Sequence, residues 1–229
     1  METTSSKDNT AGKNYIAFFD LDRTIISENS GRKLVLSAYI RGLMSTGDFI
    51  RGIFLSVMFR LNLRDTTKII DKMVGWLNGT SETKLNDLSE EIFNKFLKKS
   101  IHSEVKSEIS FHKNRGARVV ILSSAIRPVC QMVADHIGMD DIICTDLEVS
   151  NGYLTGRSVG HLCFGEEKKV RLLKYCEINN TKPSDAWYYG DSIADLPVLI
   201  SSGNPVCINP DKKLNKEALT RGWKILFWK

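Results

Sequence analysis

Residues 15–24 read YIAFFDLDRT, a short apolar run that ends in two aspartates. An apolar run of this length is typical of a buried strand in a parallel sheet. In such sheets, ligands bind beyond the carboxyl ends of the strands, where Asp20 and Asp22 would lie. Because the two aspartates are spaced by two residues on extended chain, their carboxylates can face the same way. The alternative is a solvated acidic loop, and this segment alone leaves both interpretations open.

Further apolar runs along the chain also predict strands, and helical patterns lie between them. The predicted strands are 15–19, 118–122, 186–189 and 206–208, and the predicted helices are 104–114, 128–137, 167–177 and 193–201. This alternation predicts an α/β fold with a Rossmann-like, doubly wound parallel sheet. Residues 147–156 also predict a small β-hairpin with a type I′ turn at Asn151-Gly152.

Residues 28–100 break this rhythm, because they show helical periodicity and no credible strand. We expect an inserted module of about four helices, with breaks near 46–48, 63–65 and 78–80 where Gly, Asp and Thr are found. The chain then divides into a flexible tail (1–14), a core (15–27 plus 101–229) and a helical cap (28–100).

Composition and charge exclude several classes of protein. The chain has 229 residues, and Lys and Arg total 32 against 27 Asp and Glu, for a net charge of +5. That charge mildly favours anionic ligands and is too small to indicate nucleic acid. Five scattered cysteines without a CxxC pair are typical of reduced thiols in a cytosol. The longest apolar stretch, 52–59, is far shorter than the ~18 residues of a membrane span.

Polar groups follow the other predicted strands as well. Ser123 and Ser124 follow the second strand, where a hydroxyl and free N–H groups at a helix start would suit phosphate, although a plain N-cap explains them too. Asp191 and Asp195 follow the third strand and have the hard oxygen ligands that Mg²⁺ prefers, or they simply favour a helix N-terminus. Lys168 opens a helix, and a lysine there is usually only solvated.

The order of these motifs is more informative than any one of them. A DxDxT motif, a hydroxyl after strand two, a lysine at a helix start and GDxxxD together resemble the haloacid dehalogenase (HAD) superfamily. The helical insertion resembles the C1-type cap of its phosphoserine-phosphatase-like branch, subfamily IB. The strings TDLEVSNGYLTG, CFGEEKK, GDSIADLPVL and GNPVCINPDKKL are similar to an IB group that includes phosphatidylglycerophosphate phosphatases.

The resemblance implies a phosphomonoesterase that works through an aspartyl-phosphate. Asp20 would be the nucleophile and Asp22 the general acid and base. Thr24 would support their loop. Ser123, the Ser124 backbone N–H and Lys168 would bind the phosphate oxygens.

The resemblance also implies Mg²⁺ as the cofactor. The Asp20 carboxylate, the Asp22 backbone carbonyl and Asp191 would hold the ion. Asp195 would orient either the lysine or the waters of the metal.

Several positions depart from the family pattern. Arg23 stands where the superfamily often has glycine and could reach substrate or cap. Asn29 stands where phosphoserine phosphatases have a substrate-binding Glu, and Glu28 is one position off, which argues against phosphoserine because its ammonium needs a placed carboxylate. Ala194 replaces an Asn of those enzymes. Lys169 is an alternative to Lys168, although the GxxK spacing favours Lys168.

The first half of the cap is both apolar and basic. Its cations are Arg32, Lys33, Arg41, Arg51, Arg60 and Arg64, and its single acid is Asp48. A basic amphipathic helix can lie on an anionic membrane, which would suit a lipid phosphate. We favour the alternative that the apolar residues form the core of the module; these are Leu34, Val35, Ile40, Phe49, Ile53, Phe54, Val57 and Met58.

The sequence therefore predicts a cytoplasmic phosphatase of a small or lipid phosphomonoester, with possible contact at the inner membrane face. The rivals are a soluble metabolite phosphatase, including phosphoserine phosphatase, and a membrane-surface or partner-binding module without activity. Arg127, just past the second motif, could meet a substrate anion or simply be an exposed helix-start residue.

Overall fold

The computed structural model describes residues 14–60 and 74–229, with side chains left out at 56–60. The predicted tail, apart from Asn14, and the predicted break at 63–65 lie outside these residues. The predicted cap residue Arg64 also lies outside them, and so do the side chains of Val57, Met58 and Arg60.

Strands and helices alternate through the described core. The strands are β1 (Ile16–Phe19), β2 (Arg118–Ile126), β3 (Asp141–Thr145), β4 (Leu147–Ser150), β5 (Tyr153–Ser158), β6 (Trp187–Gly190), β7 (Asn204–Ile208) and β8 (Lys224–Leu226). The helices are α1 (Ser30–Ile40), α2 (Thr46–Arg60), α3 (Glu82–Ile92), α4 (Val105–Lys113), α5 (Arg127–Ile137), α6 (Glu166–Ile178), α7 (Leu196–Ser201) and α8 (Lys212–Arg221).

Six of these strands form one parallel sheet in the order β3-β2-β1-β6-β7-β8. The chain builds outward from β1 to β3 on one side and from β6 to β8 on the other, so the strand order reverses between β1 and β6. In this arrangement Phe19 pairs with both Ile121 and Tyr189. The predicted doubly wound parallel fold is confirmed, and its ligand crevice lies beyond β1 and β6.

The predicted hairpin is also confirmed, and it contacts the helical insertion. β4 and β5 pair antiparallel, and Asn151 and Gly152 both have positive φ, 51° and 79°, as a type I′ turn requires. The Gly79 N–H donates to the Leu154 carbonyl at 2.9 Å, and the Leu154 N–H donates to the Thr80 carbonyl at 2.8 Å. Backbone hydrogen bonds therefore tie the insertion to the hairpin.

The insertion is helical in its described parts. Residues Gly75–Leu77 form a 3₁₀ turn, and α3 continues through a π turn at Phe93–Leu97 and a 3₁₀ turn at Lys98–Ser100. The break before α2 lies at 41–45, so the predicted break at 46–48 is wrong. Ser45 is the reason, because its Oγ accepts the Asp48 N–H at 3.1 Å and starts the helix.

The sheet buries both of its faces. Phe18, Tyr188 and Leu172 belong to the cluster under α6 and α7. The opposite cluster contains Phe19 and Ile121 and continues into the insertion through buried side chains, among them Leu34, Leu85, Leu88 and Ile92. The insertion is therefore packed onto the core by the same apolar cluster that covers the sheet.

Part of the predicted cap core is exposed instead. Leu34 is buried, and Val35 and Phe49 pack against the cluster. Ile40, Ile53 and Phe54 are 74%, 52% and 61% exposed, so their prediction as core residues is wrong. They lie on α1 and α2, where the described residues leave one helix face uncovered. No helix in the described ranges is long and apolar enough to cross a membrane.

Candidate active site

The DxDxT and GDxxxD motifs meet at neighbouring strand ends. β1 ends at Phe19 and β6 ends at Gly190, and the Asp20 N–H donates to the Tyr189 carbonyl at 2.9 Å. Asp20, Asp191 and Asp195 are all buried, and one carboxylate oxygen from each lies within 4.8 Å of the others. The structure therefore brings together three of the aspartates predicted from sequence.

Lys168 enters this group from the first turn of α6. Its Nζ lies 2.9 Å from Asp20 Oδ1 and 2.7 Å from Asp195 Oδ1, and it donates to the Tyr188 hydroxyl at 3.1 Å. Burial lowers the pKa of Lys168, but Asp195 and Asp20 outweigh burial and hold its pKa well above the usual value. Lys168 is therefore a buried ammonium.

Lys169, the alternative lysine, lies elsewhere. Its Nζ is 3.3 Å from Glu166 on the outer face of α6. The structure therefore brings Lys168, and not Lys169, to the converging aspartates.

The crowding of acids changes their protonation. Burial raises the pKa of Asp20 to about 6, against the opposing charge of Lys168. Burial, followed by the negative charges of Asp20 and Asp195, raises the pKa of Asp191 to about 8. A divalent cation would relieve this repulsion and favour the ionised carboxylates.

Two oxygens of this group fit a metal ion. Asp20 Oδ1 and Asp195 Oδ2 are buried and have no hydrogen-bond partner among the described residues. Lys168 Nζ lies 2.9 Å from Asp20 Oδ1, so that oxygen already has a cation beside it. Buried carboxylate oxygens without donors are costly, and hard oxygen ligands of this kind suit Mg²⁺.

Gly190 makes room for Asp195. A Cβ at position 190 would lie 2.8 Å from Asp195 Oδ2 and 2.9 Å from the Tyr188 ring. A residue with a side chain cannot occupy this position without displacing one of them. The sequence places Gly190 in a motif, but only the packing explains why it must be glycine.

Asp22 lies beside this group and is held differently. Its Oδ1 accepts the Ser30 N–H at 2.9 Å, at the start of α1. Burial raises the pKa of Asp22, and the hydrogen bond from Ser30 opposes that rise. Its carboxylate is not one of the three that converge, so the side chain is available for proton transfer.

The loop after Asp22 contains two further predicted residues. Thr24 is fully buried, and its hydroxyl has no hydrogen-bond partner within the described ranges. Arg23 is exposed and has a φ of 61°, in the left-handed region that favours glycine.

The second motif lies on a strand and not at a helix start. β2 continues to Ile126, beyond the predicted end at 122, and its pairing with β3 is irregular between Leu122 and Ile126. The prediction of a helix start at these serines is wrong, because α5 begins at Arg127 and has no side-chain cap. Ser123 is buried and its Oγ accepts the Ala125 N–H at 3.3 Å, whereas Ser124 is exposed.

Other charged residues near these strand ends already have partners. Arg127 pairs with both carboxylate oxygens of Asp146, so its charge is not free for a substrate anion. Lys33 Nζ lies 2.9 Å from Glu28. Asn29 caps α1, because its Oδ1 accepts the Arg32 N–H at 2.8 Å.

Asp211 was not predicted from sequence. Its Oδ2 accepts the Ile193 N–H at 2.9 Å, and its own N–H donates to the Asp191 carbonyl at 2.8 Å. Its Oδ1 caps α8 by accepting the N–H groups of Lys213 and Leu214. An Asp before a lysine-rich helix signals the cap, but nothing local signals the contact with the loop that follows β6.

Known proteins are similar to this chain in sequence and in fold. A family model of haloacid dehalogenase-like hydrolases matches residues 17–199. A phosphoserine phosphatase of Mycobacterium tuberculosis is 29% identical over 215 residues, which cover 91% of this chain and 69% of that protein. A histidinol-phosphatase of Neisseria meningitidis is 28% identical over 229 residues, which cover 93% and 99%. The crystal structure of a Bordetella pertussis protein with unknown function superposes with a TM-score of 0.82 at 25% identity, covering 93% and 98%.

Proposed function

The chain belongs to the haloacid dehalogenase-like hydrolases and is a phosphatase of that family, and on this premise we propose a Mg²⁺-dependent phosphomonoesterase that works through an aspartyl-phosphate. The observation that carries the proposal is the contact of one buried ammonium, Lys168, with both Asp20 and Asp195 inside a group of converging carboxylates. This arrangement at the carboxyl ends of the strands supports the roles that we propose: a nucleophile, a cation and metal-ligand oxygens around one point.

Asp20 is the nucleophile of the proposed reaction. Its carboxylate oxygen attacks phosphorus and forms a P–O bond, while the bond to the leaving oxygen breaks. Lys168 stabilises the ionised form of Asp20, whose pKa burial raises to about 6. Lys168, Ser123 and the Ser124 N–H stabilise the equatorial oxygens as charge develops on them.

Asp22 transfers the protons. It gives a proton to the leaving oxygen in the first step and takes one from the water that attacks phosphorus in the second, which restores Asp20 and releases phosphate. Its raised pKa favours the protonated form, and the Ser30 N–H orients its carboxyl group. Thr24, which is fully buried within the loop after Asp22, supports that loop.

Residues Asp20, Asp191 and Asp195, with the Asp22 carbonyl, would hold Mg²⁺. The ion would supply positive charge that offsets the repulsion between an anionic nucleophile and a phosphate dianion. The buried Asp195 Oδ2, which has no hydrogen-bond partner among the described residues, supports this assignment.

Residues 28–100 serve as the cap over a core of 15–27 and 101–229 in this proposal. Ser30, at the start of α1, contacts Asp22 directly. Cap position and proton transfer are therefore coupled through one hydrogen bond.

The test is phosphate release from a panel of phosphomonoesters with Mg²⁺ or with EDTA. The panel includes phosphoserine, histidinol phosphate, sugar phosphates and phosphatidylglycerophosphate in detergent. We expect turnover that needs the metal and is lost in Asp20→Asn, while Asp135→Asn, an exposed acid on α5, keeps full activity. Turnover that survives Asp20→Asn would overturn the proposal, and so would folded protein that releases no phosphate, which would favour a binding module.

A small metabolite is the first candidate substrate, since curated relatives act on phosphoserine and histidinol phosphate. Those substrates contain an amine. Here Glu28 is paired with Lys33 and Asn29 caps α1, so neither is free to bind an ammonium group. We therefore place phosphoserine below other phosphomonoesters of the cytoplasm.

A lipid phosphomonoester is the second candidate, and one observation favours it. Five large apolar side chains are exposed among the described residues of α1 and α2, namely Leu36, Ile40, Ile50, Ile53 and Phe54. Arg32 and Arg51 are exposed on the same helices. Apolar side chains interspersed with cations are typical of a surface that lies on anionic lipid.

Vesicle co-sedimentation tests this candidate. We expect binding to phosphatidylglycerol vesicles and not to phosphatidylcholine vesicles, with loss of binding in Ile53→Ser/Phe54→Ser. The matched control is Leu219→Ser/Phe227→Ser, which removes two exposed apolar side chains near the C-terminus. No binding to the anionic vesicles at low salt would exclude peripheral membrane contact.

A further inference from the structure

Arg23 holds a backbone conformation that glycine would adopt more easily. Its φ is 61°, and its N–H donates to the Glu28 carbonyl at 3.3 Å, which closes the loop after Asp22. Glycine has no Cβ and enters this region without steric cost. A long side chain retained at a strained position next to reactive groups indicates a use for that side chain.

The guanidinium of Arg23 has no ion pair or hydrogen bond within the part of the chain that the structure describes. Two other cations near these strand ends are paired with acids. Lys33 is paired with Glu28, and Lys168 is paired with Asp20 and Asp195. Arg23 is exposed and directly follows Asp22 in the chain, and its positive charge lowers the pKa of both Asp22 and Asp191.

The position of Arg23 identifies the part of a substrate that it would meet. In the proposed reaction Asp22 protonates the leaving oxygen, so the leaving group lies next to Asp22 and within reach of the adjacent residue. The transferring phosphoryl group already has Lys168 and Ser123 as partners. A cation on the leaving group would find Glu28 occupied by Lys33, whereas an anion would find Arg23 unpaired.

We propose that Arg23 binds a second anionic group on the leaving group, so that the preferred substrates are phosphomonoesters whose leaving group has a carboxylate or a further phosphate. This inference rests on the proposed function. Arg23 is then a specificity residue that contributes to binding and leaves the phosphoryl chemistry to Asp20 and Asp22. The anionic group could belong to a small metabolite or to a lipid headgroup, and the chemistry that Arg23 recognises is the same in both.

The test compares kcat and KM for three substrates that differ in the leaving group. Glycerol phosphate has a neutral leaving group, phosphoglycerate has a carboxylate, and phosphatidylglycerophosphate in detergent has a phosphodiester. We expect kcat/KM for wild type to be about tenfold higher with an anionic leaving group, the size of effect typical of one charge-assisted contact. Preference for phosphoglycerate indicates a small metabolite, and preference for the lipid indicates a headgroup.

Arg23→Gln removes the charge, Arg23→Lys keeps it, and Arg23→Gly suits the backbone. We expect Arg23→Gln and Arg23→Gly to lose the tenfold preference through KM, with kcat on glycerol phosphate unchanged, while Arg23→Lys keeps part of it. Lys216→Gln, which removes one exposed cation from α8, should change neither constant. Arg23→Gly should melt no lower than wild type, which separates this effect from misfolding.

Three outcomes would overturn the inference. An equal loss on all three substrates would mean that Arg23 binds the transferring phosphoryl group. No loss on any substrate would mean that Arg23 is only a solvated cation. Absence of turnover by wild type on every compound would refute the proposed function, and the inference with it.

Discussion

Lys168 is the residue at which the charges of this site converge. It is 3% exposed and lies within 3 Å of two carboxylates that would otherwise repel each other. Its neighbour Lys169 has the same charge on the outer face of α6. The two lysines are therefore a matched pair for testing whether the buried ammonium takes part in the reaction.

We expect Lys168→Gln to lower kcat on the order of a hundredfold or more, because it removes a preorganised cation from a buried site. Lys169→Gln should retain wild-type kcat and KM. Steady-state phosphate release with both variants checks this. Equal rates in the two variants would show that Lys168 has a structural role only.

A substitution at Gly190 tests a second single residue of the site. We expect Gly190→Ala to cost about 1–3 kcal/mol of stability, typical of overpacking, and to weaken activation by Mg²⁺, because the new methyl group would displace Asp195. Gly75→Ala is the control, since no heavy atom lies within 4 Å of its Cβ position. Urea unfolding and a Mg²⁺ titration of activity measure both effects, and a Gly190→Ala enzyme with normal Mg²⁺ dependence would contradict the account.

Sequence reasoning identified the acids but not the residues that position them. Asp20, Asp22, Asp191 and Asp195 follow strands, and that location could be inferred from apolar runs alone. Tyr188 and Gly190 could not be interpreted in the same way, because their role depends on contacts across the site that no local pattern encodes.

At the scale of elements, the loop after β6 is held by α8. The Asp211 carboxylate accepts the Ile193 N–H and caps that helix, and the Asp211 backbone N–H donates to the Asp191 carbonyl. The loop after β6 and the helix therefore share one side chain. The contact joins residues 18 apart, and for that reason the sequence gives no local sign of it.

Asp211→Ser and Asp211→Ala separate the two roles of this side chain. Serine still caps α8 but is too short to bond the Ile193 N–H, so we expect near-native stability with several-fold weaker activation by Mg²⁺. Alanine should show the same Mg²⁺ defect and lose about 1 kcal/mol of stability, the usual worth of an N-cap. Thermal unfolding and Mg²⁺ titrations measure both, and unchanged Mg²⁺ activation in Asp211→Ser would limit Asp211 to capping.

Some strands and helices could not be predicted from the sequence, and each has a physical reason. β8 has only three residues, too short for a reliable period, and α8 has few apolar residues in its ten. β2 extends beyond its prediction because its last residues include two serines, which resemble a turn. The hairpin was predictable because Asn151-Gly152 suits a single turn type.

At the scale of the whole molecule, a buried histidine joins three elements. His112 on α4 is fully buried, and its Nδ1 lies 2.9 Å from the Tyr15 hydroxyl while its Nε2 lies 2.7 Å from the Tyr189 hydroxyl. Tyr189 donates its own proton to Glu108 at 2.5 Å, so it accepts from Nε2–H and Nδ1 accepts from Tyr15. The neutral ring satisfies every partner.

Stability should therefore fall in acid. Burial, with Arg115 and Lys224 nearby, lowers the pKa of His112 from 6.5 to about 4. Because the folded pKa lies below the unfolded one, the unfolded chain binds the proton first. The contribution of the neutral ring is complete above pH 6.5 and is lost as pH falls towards 4, for a total on the order of 3 kcal/mol.

Urea unfolding at several pH values checks this prediction. Wild type should lose stability between pH 6.5 and 4 more steeply than His112→Gln, which cannot titrate at this position. Parallel pH profiles for the two proteins would show that His112 does not control the acid response.

The proposed mechanism requires that Asp20 becomes phosphorylated during turnover. The most direct measurement is an acid quench of the enzyme with a radiolabelled phosphomonoester from the panel, followed by peptide mapping. We expect label on the peptide that contains Asp20 and no label in Asp20→Asn. With nitrophenyl phosphate, Asp22→Asn should accumulate more label than wild type. The nitrophenolate leaves without a proton, whereas hydrolysis of the aspartyl-phosphate still needs Asp22 as the base. Turnover without covalent label, or label on another residue, would contradict the proposed mechanism.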